Sequence, residues 1–238
     1  MVLSIVMALV LPLAFPLREP AQRGHQEPSE AVDMPMSTAV REAFGHPGFW
    51  LLNLGFLACG FQLAFIATHL PAYLLDNGMR PSDGVAALAI IALTNIVGIY
   101  WCGVLGGLYR RKYLLAGLYL ARTTAMALFV LLPISTWNVY VFSAAMGFLW
   151  LGAVPLTTGL LSQVFGVRYL STLFGFVFLG HQLGSFLGVW LGGYVFDLTS
   201  SYEPIWLGAM ALGVLSALLH WPIDDRELLR PLPALARV

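Results

Sequence analysis

"CGFQLAFIATHLPAYLL", residues 59–75, decides how this chain is read. It is apolar enough to lie in hydrocarbon, yet it carries Gln62, Thr68, His69 and Tyr73 within a few turns. The surrounding composition rules out a soluble core helix. Hydrophobic residues make up 59% of the chain and charged residues 10%, with a mean hydropathy of +0.80. A soluble domain carries roughly 25% charged residues. Polar side chains in hydrocarbon cost free energy unless another group satisfies them. These four face either a partner helix or a cavity, and the segment alone leaves both open.

Working outward, a membrane-spanning helix needs about 20 mostly apolar residues. Six stretches qualify: 49–75, 84–108, 113–132, 138–161, 171–196 and 203–221. Turn chemistry separates them, as in "DNGMRPSDG" (76–84), where Ser82 or Asp83 can cap the next helix. Glycines recur inside the helices, as in "GSFLGVWLGG" (184–193), a spacing that lets helix backbones approach closely in lipid. Residues 1–17 are apolar but short and interrupted by Pro12 and Pro16, which suits the end of a spanning helix better than a signal peptide. Residues 18–47 are polar, and "STAVREAFGH" (37–46) within them reads as a short amphipathic helix.

The distribution of charge sets an expected orientation. Net charge is zero, which suggests no nucleic-acid partner. Arg18, Arg23, Arg41, Arg110, Arg111, Lys112, Arg168, Arg226, Arg230 and Arg237 fall in alternate connections and the C-terminal tail, whereas the opposite connections hold only Arg80. Basic residues concentrate on the cytoplasmic side. The segment 18–47 and the C-terminus are therefore expected there.

Enzyme signatures are weak. Ser185 and His181 lie one turn apart on one helix rather than on facing helices, no HExxH motif occurs, and no membrane segment offers paired carboxylates. No catalytic residue, cofactor or metal site is expected. Cys59 and Cys102 sit inside apolar runs and read as small packing residues. The polar groups at membrane depth are a different matter, because such residues are functional candidates by default. Gln62 marks mid-membrane on its helix, with His69 about 10 Å outward on the same face. Asn95, Trp150, His181 and Gln182 lie at similar depth on three other helices, with Thr157 and Thr158 further inward than Trp150 and Pro155 loosening the backbone between them. Their agreement in depth suggests a shared cavity, with helix–helix hydrogen bonding as the structural alternative. Arg122 lies near the centre of 113–132 with no carboxylate at its depth, where it can bond helix carbonyls, snorkel inward or meet an anionic ligand.

Three stretches resemble one known family. "CGFQLAFIATHLPAYLLDNGM" (59–79) is similar to the seventh transmembrane helix of major facilitator superfamily transporters of the monocarboxylate/oxalate-porter-like bacterial type. "GVLGGLYRRKYLL" (103–115) resembles the second copy of the superfamily's signature loop, carried here by Gly103, Gly107, Arg110, Arg111 and Lys112 but lacking its Asp. "MGFLWLGAVPLTTGLLSQVFGVRYLSTLFGFVFLGHQLGSFLGVWLGGYVFD" (146–197) resembles helices ten and eleven. The resemblance implies an all-α integral membrane fold. It would be a six-helix bundle forming the C-terminal half of the transporter, built as a 3+3 inverted repeat after a short N-terminal apolar helix. On that basis residues 1–17 end helix six, 18–47 form the central cytoplasmic loop, 48–222 the bundle and 223–238 a cytoplasmic tail.

The function so implied is half of a secondary active transporter in a bacterial cytoplasmic (inner) membrane. Its expected solute is a small organic one, a monocarboxylate or dicarboxylate, moved by alternating access, with symport as the expected coupling. Gln62, His69, Asn95, Trp150, His181, Gln182 and Arg122 are the expected substrate-binding residues. The implied partners are the bilayer and either a missing N-terminal six-helix half or a second copy. The alternative is a partial, non-transporting protein that pairs with another membrane chain.

Overall fold

The computed structural model describes residues 34–228, and Pro35 onward forms one compact unit. The expected helix at 1–17, most of 18–47 and the end of the tail lie outside the described residues. Eight helices follow in order: α1 (Met36–Gly45), α2 (Pro47–Asp76), α3 (Pro81–Leu108), α4 (Arg111–Leu131), α5 (Thr136–Leu149), α6 (Ala153–Phe165), α7 (Leu170–Thr199) and α8 (Glu203–His220). With α5 and α6 taken as one interrupted span, six segments are long and apolar enough to cross a membrane. They match the six stretches expected from hydropathy. The fold among the described residues is all-α.

The helix ends follow local chemistry. Pro47 opens α2, and His46 Nδ1 accepts from the Gly48 N–H at 3.1 Å. Helix α3 begins at Pro81, not at the Ser82 or Asp83 expected as caps. Asp83 acts instead from the third helical position, accepting from the Arg80 N–H at 3.1 Å and from its guanidinium. Ser135 caps α5 by accepting from the Asn138 N–H at 3.2 Å. Gly78 and Gly166 take positive φ after α2 and α6, where a side chain would be strained. Ser200 does the same after α7 without being glycine.

The packing has the symmetry of an inverted repeat. Helix α2 runs against α7, and α3 against α5; α4 runs against α8; α2 also meets α8 as α4 meets α5 and α6. Exchanging the first three spans for the last three maps this pattern onto itself, the arrangement of transporters built from internal repeats. Glycine makes the closest of these contacts possible. A Cβ at Gly184 or Gly188 of α7 would overlap the carbonyls of Leu57 or Phe61 in α2, and one at Gly60 would overlap that of His181. On the other side, Gly98 of α3 meets the Phe148 carbonyl and Gly147 of α5 meets that of Ile91. Backbones this close maximise dispersion where no hydrophobic driving force exists. Two apolar clusters fill the bundle, one around Phe49, Phe56 and Leu160, the other around Phe65, Phe129 and Trp206. Trp150 packs against both.

Candidate functional site at the broken helix

The span 136–165 stops being helical at Trp150–Gly152. Pro155 has no N–H and its ring disfavours α geometry in the turn before it, so the break falls just N-terminal to it. A break at membrane depth frees backbone donors and acceptors that lipid cannot satisfy. Two side chains from other helices take them. Arg122 of α4 donates through Nε and Nη2 to the Leu149 carbonyl, at 3.0 and 2.6 Å, and through Nη2 to the Trp150 carbonyl. Asn95 of α3 accepts from the Leu151 N–H at 3.0 Å. Arg122 thus closes the C-terminal end of α5, where partial negative charge gathers, and Asn95 serves the start of α6.

Arg122 is fully buried and has no ion pair with any described residue. Its Nη1 reaches the Cys59 thiol of α2 at 3.2 Å, and its guanidinium lies 5.5 Å from the Tyr119 ring centroid. Of five guanidinium hydrogens, four meet these acceptors and one on Nη1 remains. Cys59 is free and buried as expected, but it is more than filler, since it borders the buried charge and lies within electrostatic range of His181. His181, half-buried on α7, stacks on Phe178 and lies 4.9 Å from the Phe56 ring. Ser185 Oγ is bonded back to the His181 carbonyl at 3.0 Å. Gln182, one residue on, is exposed and lies 3.4 Å from the His181 ring nitrogen. Arg122, Asn95, Trp150 and, through Cys59, His181 therefore come together around the break.

Gln62 and His69 do not join them. The face of 59–75 that carries Gln62, His69 and Tyr73 is turned inward: Gln62, Phe65 and Ile66 are buried, and His69 and Tyr73 are half-buried. Gln62 donates to the Ala209 carbonyl of α8 at 2.9 Å, where Gly213 leaves room for its amide. His69 sits against Gly192, with its ring nitrogens 3.0 Å from the Val189 carbonyl and 3.4 Å from the Tyr202 hydroxyl. Glycines of α7 and α8 leave room where these polar groups lie, so each meets a hydrogen-bonding partner on a neighbouring helix. The Gln62 carbonyl oxygen and the Thr157 hydroxyl are buried without partners among the described residues.

The stretch expected to be the signature loop forms a second polar cluster at one end of the bundle. Arg110 makes a two-pronged ion pair with Asp225, at 3.0 and 2.5 Å, and holds that carboxyl below the usual carboxylate range. Lys112 donates to the Ile223 carbonyl at 2.7 Å and lies 3.8 Å from Asp225. Arg111 donates to Gln163 at 2.6 Å, and Gln163 in turn donates to the Asp225 carbonyl at 2.7 Å. The loop lacks its Asp, and a carboxylate from beyond α8 partners its basic residues. Gly103 and Gly107 face open space, whereas Gly106 abuts Leu156. Asp225 and Gln163 carried no signal in the sequence, because their partners are about 60 and 115 residues away.

Six spans long and apolar enough to cross a membrane, packed as an inverted repeat around an interrupted helix and a buried arginine, define a polytopic membrane-protein fold. The Major Facilitator Superfamily model matches residues 1–165, and the chain belongs to that superfamily. It is 27% identical over 245 residues to "Uncharacterized MFS-type transporter YcxA" of Bacillus subtilis (strain 168), an alignment covering 95% of this chain and 56% of that protein. It is 28% identical to Monocarboxylate transporter 13 of Rattus norvegicus, over 72% of this chain and 41% of the relative. The Bos taurus protein of the same name is likewise 28% identical, over 80% and 49%. The chain spans about half the length of the curated relatives it matches.

Proposed function

We propose that this chain supplies helices seven to twelve of a secondary transporter that moves a small organic carboxylate across a bacterial inner membrane. The observation that carries the solute class is Arg122. A guanidinium fully buried at membrane depth, with no carboxylate partner among the described residues and one donor hydrogen left over, favours a solute that brings the missing negative charge. Monocarboxylate transporters among the relatives support the same class. In this reading Asn95, Trp150, His181 and Gln182 line the approach. Gln62 and His69 hold α2 against α7 and α8. The broken helix is the flexible element, since discontinuous helices form solute sites in many transporters. Alternating access would rock this bundle against a second six-helix bundle. The ten-to-one basic asymmetry supports a cytoplasmic C-terminus.

The test is a thermal unfolding series on the purified chain with lactate and oxalate as probes. Saturable stabilisation that disappears in Arg122→Gln and weakens in His181→Ala is expected. Equal stabilisation of wild type and Arg122→Gln would refute the assignment of the charge. The alternative is a protein that binds another membrane chain without transporting. Cross-linking in native membranes, together with uptake in reconstituted vesicles, separates the two.

A further inference from the structure

We infer that the bundle end opposite the signature loop carries a binding site for a small organic cation. A cavity of about 390 Å³ opens there, walled by Tyr73 and Asp76 of α2, Phe196 of α7, and Tyr202, Glu203 and Trp206 at the start of α8. Its size falls in the range of small-molecule sites. The spacing explains its construction. Asp76 follows Tyr73 by three residues and Glu203 precedes Trp206 by three, so each helix stacks an aromatic ring and a carboxylate on one face. Buried Trp206 is the floor, and the two exposed carboxylates stand at the rim. The rings form one connected wall: Tyr73 to Trp206 at 5.5 Å, Tyr73 to Tyr202 at 6.0 Å, Phe196 to Tyr202 at 4.5 Å.

Charge decides the ligand class. Among the described residues neither Asp76 nor Glu203 has an ion-pair partner, and no Lys or Arg lines the cavity. Two uncompensated carboxylates repel an anion, and an uncharged ligand would desolvate them without return. A cation satisfies both and also lies over electron-rich aromatic faces, the combination by which proteins recognise alkylammonium groups. The ligand class is thus a small alkylammonium compound. The site shares no lining residue with the cluster around Arg122 and stands independently of the carboxylate reading.

The test uses the purified full chain in a maltoside detergent, titrated calorimetrically with choline and with 3,3-dimethylbutan-1-ol, which has the same shape without the charge. Saturable choline binding is expected, with the alcohol at least about tenfold weaker because it forgoes the cation–ring and carboxylate attraction. Asp76→Asn and Glu203→Gln should each weaken choline to a similar degree, while Asp224→Asn at the other end leaves it unchanged. Absence of choline binding, equal binding of the alcohol, or full affinity in the Asp76→Asn/Glu203→Gln double variant overturns the inference. The comparison of the two probes needs no variant, so it holds even where a substitution disturbs folding.

Discussion

Replacing Arg122 by methionine tests whether the buried charge caps the broken helix. The substitution removes bonds to two backbone acceptors, the Leu149 and Trp150 carbonyls. Each acceptor left unsatisfied in the interior costs about 1–3 kcal/mol, hence about 2–6 in all. Against this, removing an arginine from membrane depth recovers about 2.5–3.5 kcal/mol. The balance is a destabilisation of about 1 kcal/mol, bounded by roughly −1.5 and +3.5. Asn95→Leu has no charge term to offset it: it orphans the Leu151 N–H alone and should cost about 1–3 kcal/mol. One hydrogen bond at Asn95 is therefore expected to matter at least as much as the whole Arg122 cluster. Equilibrium unfolding in bicelles, with both variants in parallel, reads this ordering. A loss above about 4 kcal/mol for Arg122→Met would show that the charge is not desolvated. A gain above about 2 kcal/mol would show that the carbonyls are satisfied without it.

Other expectations follow from the same geometry. Gly184→Ala places a Cβ on the Leu57 carbonyl and should destabilise the bundle by about 1–3 kcal/mol or more, whereas Gly175→Ala, whose Cβ meets nothing within 4 Å, should be neutral or slightly stabilising in the same assay. Asp225→Asn should cost about 1–2 kcal/mol, since Arg110 is largely exposed but Lys112 is not. Because Asp225's folded-state pKa is depressed, its contribution is full above the unfolded value near 4 and is lost as pH falls through the lower folded value, so acid titration of wild type against Asp225→Asn should converge at low pH. Reporter fusions after Asn77 and after Lys112 should mark opposite sides of the membrane; the same side for both would remove α3 as a span.

Hydropathy and turn chemistry were enough to place all six spans within a few residues, because a 30 Å hydrocarbon layer imposes length and composition on each segment independently. The glycine spacing of α7 likewise announced a close helix contact, since only small residues permit one. Counting along each helix sets an expected depth: Gln62, Asn95, Trp150 and His181 at a similar level, and Arg122 near the centre of its own span. Direction was not. Whether Gln62 lines a cavity or bonds Ala209 depends on the rotation of α2 against α8, and the space for its amide is made by Gly213, about 150 residues away. Pro155 signalled a weakened helix, yet the position of the break, and the fact that Arg122 and Asn95 answer it from two other helices, arise only when those helices pack. Asp225 becomes the partner of Arg110 for the same reason: the chain beyond α8 returns to the loop before α4, and a carboxylate absent from the motif is supplied across that distance. Membrane insertion acts on one segment at a time, so it can be read from one segment at a time; the pairing of buried polar groups joins distant segments, and tertiary packing alone assigns it.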